Sequence, residues 1–364
     1  MKYNKKILIC SLFIIISITI LIVISRNSTK TFKYKGSTIA LTVDGNSATS
    51  FPASGKYNVT VNCNNAKGRW NPKTWKLEIT KITGTVTCDV SFNSSVTNLT
   101  TQVNNKATRN ENGKRYQGKN PDNYIWFNDE LWRIIGNIPV CLTSGCSTTE
   151  NRVKIIRNDS IGAIVFNQTK YSSSSPLTWM GSNIQNLLNK CYLGKKSSCD
   201  DYCYSYKTSA KGTCDYSADG IVVTDFYGKM VEDVYFNVGS GAGTDKTAAN
   251  YYTQEIATHA TSTSKIGLMY ASDWGYAIEG FNDILGSDGN PQNSSDKNWL
   301  FSNGYEWTMS AYSSSYPHYV YFNGYLNYTF AYEGYAARPV LYLKSNVYVV
   351  SGTGTKVDPY RIGM

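Results

Sequence analysis

The sequence predicts an α+β protein in three parts: an N-terminal transmembrane helix, a small β-sandwich, and a larger α+β domain of short antiparallel strands. Three observations carry that reading. An uncharged apolar run fills residues 7–24, behind Lys2, Lys5 and Lys6. Short stretches over 31–93, and again from 121 onward, alternate apolar with polar residues between turn-forming Gly, Asn, Asp and Pro. Tyr and Gly each occur 29 times in 364 residues while charged residues make up 17%, which suits strands and turns rather than long helices.

The run at 7–24 is long enough to cross a hydrocarbon core as a helix. Lysines on its short N-terminal side keep that side cytoplasmic, so residues beyond about 27 are expected outside the cell. Ile22, Val23, Ile24 and Ser25 offer no small-x-small cleavage site, which favours an uncleaved anchor over a signal peptide. The expected localisation is the cell membrane, single-pass, with the C-terminal domains extracellular. Cys10 reads as a small apolar residue of the membrane helix. Eight cysteines remain outside: Cys63, Cys88, Cys141, Cys146, Cys191, Cys199, Cys203 and Cys214. An even number beyond the membrane fits disulfides. Proximity pairs Cys63 with Cys88 and Cys141 with Cys146, and leaves the other four open. Paired CxxC spacing is missing and only His259 and His318 are available, so no metal is expected.

Residues 31–93 hold FKYKG, TIALTVDG, KYNVTVNC, WKLEITKI and GTVTCDVSF, the strands of a small β-sandwich stalk. Cys63 and Cys88 would staple two of them, with Trp70 or Trp75 packed on the bridge. Residues 94–120 are polar with few large apolar side chains and read as a linker. Residues 121–364 open with YIWFNDELWRIIG, a hairpin turning at Asn128 and Asp129. A strand follows in VKIIRN, and residues 179–193 have Ile184, Leu187, Leu188 and Cys191 at helical spacing. GIVVTDF reads as a strand, a short helix is expected near 251–257, and KIGLMYASDWGYA reads as a strand and turn. YEWTMSA, HYVYFNGYLN, RPVLYLKS and VYVVSG supply the last strands.

Residues 305–335 carry the most distinctive chemistry. Tyr recurs every three or four positions among Ser, Asn, Gly and Ala, with almost no charge. Tyr offers a large, stiff, amphipathic contact at low rotamer cost, and Ser, Gly and Asn add adaptable hydrogen bonds. Tyr312, Tyr316, Tyr319, Tyr321, Tyr325, Tyr328 and Tyr332 are the expected contact residues, with His318, Asn323, Asn327 and Glu333 as polar partners. Tyr319 and Tyr321 would share one face of a strand. Trp307, Arg338 and Pro339 read as scaffold. The competing reading is an aromatic-rich sheet with half its rings in the core.

Other chemistries have little behind them. The net charge of +10 is scattered, without the dense basic run of a nucleic-acid arm, though it suits anionic wall polymers or membrane surfaces. His259 and His318 sit in segments lacking a nucleophile elbow or triad order. Glu279, Asp283 and Glu306 are the carboxylates available for an acid/base pair, but nothing fixes their separation. Asp283, Asp288, Asn290 and Asp296 form an oxygen-rich loop whose twelfth position from Asp288 is Trp299 rather than the Glu of an EF-hand, so a solvated turn is expected. GSGAGTDK lacks the strand and helix of a P-loop. Neither an enzyme nor a cofactor is expected.

The order YIWFNDELWRIIG, VKIIRNDSIG, the 179–193 helix, KIGLMYASDWGYA, NWL, EWTMS and ARPVLYLKSNVYVVSGTGTKVDPYRI resembles a family of bacterial surface domains of the C-type-lectin-like fold, in its formylglycine-generating-enzyme branch. That branch includes retroelement-diversified variable receptor-binding proteins. The resemblance covers most of 121–362 and implies a scaffold ending in a G[VF]RP strand, with a variable Tyr- and Asn-rich patch just upstream. Ala336, Ala337, Arg338 and Pro339 match that strand, although Ala336 replaces its Gly. EPN and QPD sugar-binding triplets are missing, so the resemblance implies no calcium-dependent lectin activity. The expectation is a membrane-anchored extracellular adhesion protein that binds a surface glycan or protein. A cell-envelope enzyme on the same frame and a structural envelope protein with buried tyrosines are the alternatives.

Overall fold

The computed structural model describes residues 31–34, 37–52, 57–168, 178–205, 214–239, 247–279, 297–313 and 315–364. The expected anchor at 1–27 and the oxygen-rich loop at 283–296 lie outside these residues. Among the described residues, no helix is long and apolar enough to cross a membrane. The chain divides into two compact units, Met1–Thr97 and Asn98–Met364.

Among its described residues, the regular elements of the first unit are all strands. Its main sheet runs Thr31–Tyr34, Ser37–Val43, Thr87–Ser94, Tyr57–Cys63, with the short strand Asn46–Ser47 on Ser37–Val43. Strand Thr87–Ser94 is central and alternates buried with exposed residues, so Cys88, Val90 and Phe92 all point into one core. A separate hairpin, Lys67–Asn71 with Lys76–Thr80, adds Trp70, Leu77 and Ile79 to that core. Trp70 meets Phe92 edge-on at 4.7 Å and Trp75 at 5.2 Å, with Phe51 alongside. The core is small, and the Cys63–Cys88 disulfide ties adjacent strands at paired positions.

The second unit begins earlier than its polarity suggests, which corrects the linker expected at 94–120. Asn98 caps helix Leu99–Lys106 by accepting the Thr100 N–H at 2.8 Å, and Leu99 and Val103 are buried. Strands Arg109–Asn110 and Lys114–Arg115 then join the seven-stranded sheet of this unit, with Tyr116 and Arg115 in the interior. Four side chains of this segment, Leu99, Val103, Arg115 and Tyr116, are buried, three of them on the helix or a strand and Tyr116 directly after one. A low density of apolar residues did not prevent folding.

The seven-stranded sheet of this unit is antiparallel, ordered Ile266–Gly267, Val340–Leu343, Thr149–Arg157, Glu130–Cys141, Lys114–Arg115, Arg109–Asn110, with Tyr124–Phe127 also on Glu130–Cys141. Asn128 and Asp129 turn the first hairpin with φ of 54° and 61°, the left-handed geometry of a tight two-residue turn. Gly136 sits at a bulge where a Cβ would lie 2.3 Å from the Lys114 carbonyl, so the strands approach closely there. Helix Asn183–Leu187 is capped by Ser182 and runs into a π-turn at Leu188–Tyr192, in place of one continuous amphipathic helix. GIVVTDF forms turns around a single bridge at Ile221 rather than a strand. The 251–257 expectation becomes helix Ala248–Glu255, and ASDWGY forms helix Ala271–Tyr276 in place of the expected turn.

A second, five-stranded sheet positions the aromatic stretch: Ala163–Val165, Gly334–Ala336, Glu306–Ala311, Pro317–Val320, Leu326–Tyr328. The two sheets share one core in which Trp132, Trp274 and Trp307 are fully buried. The eight cysteines beyond Cys10 are paired: Cys63–Cys88, Cys141–Cys146, Cys191–Cys199 and Cys203–Cys214.

Candidate functional site

The tyrosine stretch forms two ring clusters rather than one patch. Strand Pro317–Val320 sends alternate side chains to opposite faces, so His318 and Tyr319, neighbours in sequence, are separated by the sheet. On one face His318 meets Tyr251 of helix Ala248–Glu255 and Tyr312 edge-on, at 5.2 and 5.4 Å. Tyr312 stacks on Tyr328, Tyr316 leans on Tyr328 and Phe330, and Phe330 stacks on Tyr332. On the other face Tyr319 packs among Trp307, Tyr335, Tyr305 and Tyr321.

Burial then sorts the expected contact residues. His318 and Tyr319 are interior, at 3% and 5% exposure, and are corrected from contact residues to supports beneath the rings. His318 holds the Asn327 carbonyl through Nδ1 at 3.1 Å. Burial, reinforced by the Tyr335 phenol, pushes the Tyr319 phenol well above its ordinary value. Tyr316, Tyr321, Tyr325, Tyr332, Asn323, Asn327 and Glu333 are half-buried, and Tyr312 and Tyr328 are exposed. Asn327 uses its side-chain oxygen on the Tyr328 N–H at 2.8 Å, so this carbonyl is already occupied locally.

Three aromatic residues that the sequence reading passed over complete the second cluster. Tyr305 stacks on Tyr335 at 5.1 Å and 18°, and meets Tyr321 edge-on at 5.1 Å. Phe322, half exposed, lies 4.5 Å from Tyr321 and 5.8 Å from Tyr305. Tyr321 stacks in turn on Tyr325 at 4.7 Å. The turn that presents them is closed by Tyr321 N–H to the Tyr325 carbonyl and by Gly324 N–H to the Tyr321 carbonyl, with Gly324 at φ 88°. Asn323-Gly324 is the sequence signal that could have located this tip. The platform rests on buried groups. Trp307 donates its indole N–H to the Ile164 carbonyl at 2.7 Å, and Glu306 and Arg338 pair beneath the sheet, in keeping with the scaffold role expected of Trp307 and Arg338.

A buried polar network lies behind the first cluster, and the sequence reading missed it entirely. Glu255, at the end of helix Ala248–Glu255, accepts from the Ser310 hydroxyl at 2.5 Å, from the Ser272 N–H at 3.1 Å and from the Ser272 hydroxyl. Burial, against the pull of those hydroxyls, raises its carboxyl to about 7. Asp273 caps its own helix by accepting the Tyr270 N–H, and binds Arg115 at 2.8 Å and Lys154. Burial pushes the Asp273 carboxyl up, but Lys154 and Arg115 overcome it and hold the group below its ordinary value. Lys154 Nζ also sits 4.1 Å from the Tyr270 ring centre. A lone lysine inside VKIIRN, flanked by Val153 and Ile155, was the available signal.

Among the described residues, the acid/base candidates are Glu279 and Glu306, and they sit in different settings. Glu306 is buried on Arg338, Glu279 is exposed, and Asp283 lies outside the described residues. Cys141, Cys146 and His259 lie together, but both sulfurs are joined in a disulfide. Comparison of the chain with protein-family models, with curated proteins and with solved structures gives no match.

Proposed function

We propose that the larger unit is the recognition module of a membrane-anchored extracellular binding protein, and that it contacts a glycan or protein ligand through Tyr305, Tyr321, Phe322, Tyr325 and Tyr335. The observation that carries this reading is the mutual stacking of exposed and half-buried rings around the Tyr321–Tyr325 turn. Rings fixed before a ligand arrives lose little rotamer freedom on binding, so more of the contact energy appears as affinity. Within 305–335 the acidic residues are Glu306 and Glu333, and Lys and Arg do not occur, so the surface suits an uncharged ligand face. Sugar C–H faces lie well on such rings, while phenol hydroxyls and Asn323 are placed to read hydroxyl groups. Tyr312, Tyr328 and Tyr332 offer a second contact area.

The test is a glycan and surface-protein binding array with the outer part of the chain, repeated with Tyr321→Ala and Phe322→Ala. Specific binding that drops at least tenfold in both variants, with unchanged thermal unfolding, is expected; this corresponds to at least about 1.4 kcal/mol, more than most interface residues lose on truncation. Specific binding that both variants leave intact would place the ligand elsewhere. No specific binding on either array would favour the structural reading.

A further inference from the structure

We propose that Tyr312 and Tyr328 form an oxidative cross-linking site, at which a one-electron oxidant joins the two phenols as an intramolecular dityrosine. Their rings are nearly parallel, at 4°, with centres 3.7 Å apart. That spacing is van der Waals contact between ring carbons along the whole face. Both side chains are exposed, at 40% and 42%, so a diffusing oxidant reaches each of them. Among the described residues, the other stacked phenol pairs are less well matched: Tyr321 with Tyr325 at 4.7 Å and 22°, and Tyr305 with Tyr335 at 5.1 Å and 18°.

The bond would have a structural consequence. Tyr312 follows strand Glu306–Ala311 and Tyr328 ends strand Leu326–Tyr328, while Pro317–Val320 runs between these strands. A link therefore spans the middle strand and fixes the edge strand to the sheet. The reaction balances with a haem peroxidase and hydrogen peroxide. Each phenol gives up one electron and one proton, leaving two phenoxyl radicals in contact. A carbon–carbon bond forms between their ortho positions, and each ortho proton moves to its oxygen to restore the aromatic rings. The two electrons and two protons reduce one peroxide to two waters. Holding both radicals in one molecule at contact distance favours this coupling over encounters between molecules. Four disulfides suit an oxidising compartment, where an oxidant for this coupling would also be met.

The test treats dilute protein with horseradish-type peroxidase and limiting peroxide, then reads intact mass, dityrosine fluorescence and peptide linkage. Loss of two hydrogens from the monomer, with one link between the peptides carrying Tyr312 and Tyr328, is expected. Tyr312→Phe and Tyr328→Phe keep the ring stack but remove a phenol, and each should abolish this product while thermal unfolding stays unchanged. Linkage mapped to another pair, a product that survives both variants, or coupling found only between molecules would overturn the proposal.

Discussion

Arg338 and Glu306 form a sequestered ion pair, with Nε 2.7 Å from Oε1 and both side chains at most 5% exposed. Arg338 also donates through Nη2 to the Leu300 carbonyl at 2.6 Å. A guanidinium is the side chain whose planar fork serves both acceptors at once. Replacing it with Ala strands a buried carboxylate, a loss of about 3 to 5 kcal/mol for a broken buried pair. Arg338→Ala should therefore lower the chemical-denaturation midpoint strongly. The double variant Arg338→Met with Glu306→Leu should recover most of that loss, because it leaves no unpaired charge.

Glu255 should make stability depend on pH. Its carboxyl moves from an ordinary 4.5 up to about 7 in the folded state. Between those values the folded protein binds a proton that the unfolded chain does not, so stability is full below about pH 4.5 and falls as pH rises to about 7. The shift corresponds to roughly 3 kcal/mol. Asp273 acts oppositely but only in acid, since its lowered carboxyl costs stability as pH falls through the range below 3.8. Denaturant unfolding across pH 4 to 8 should show the decline in the native protein and a flatter profile in Glu255→Gln; a native profile without that decline would refute it.

Helix Leu99–Lys106 gives a direct check on where the second unit starts. Asn98→Ala removes the cap and should cost about 1 kcal/mol. Val103→Ala empties a fully buried site and should cost about 1 to 3 kcal/mol. Residues in a solvated linker would tolerate both, so paired melting curves decide the matter.

The Cys63–Cys88 bond closes a loop with a sequence separation of 25, against 5 for Cys141–Cys146. Loop-closure entropy then assigns about 3.5 kcal/mol to the first and about 2 kcal/mol to the second. The first bond also belongs to a core that has six buried apolar residues among the described ones. Cys63→Ala with Cys88→Ala should unfold the first unit at a markedly lower temperature, and Cys141→Ala with Cys146→Ala should affect the second unit mildly.

Much of this was legible where local chemistry decides the outcome. The Asn128–Asp129 turn announced its hairpin because those residue types tolerate left-handed backbone. Short sequence separation identified two disulfides, but four cysteines between 191 and 214 allow three pairings, and only the packing of the segment selected one. The helix at Leu99–Lys106 was missed because two buried side chains suffice when a long sheet is ready to receive them. The aromatic stretch was legible in the sequence, but the arrangement of its rings in space was not. Alternation along Pro317–Val320 buries His318 and Tyr319 on opposite faces, and deciding which face meets solvent required knowing that helix Ala248–Glu255 covers one of them.

The early start of the second unit bears on how it can be isolated. Helix Leu99–Lys106 lies against strands Glu130–Cys141 and Thr149–Arg157, and Arg115 supplies half the cation partners of Asp273. A polypeptide trimmed to begin at 121 would carry an apolar trough open to water and an under-neutralised carboxylate at its centre. Such a fragment is expected to self-associate through the trough, and its oligomers would report on the cut rather than on the protein.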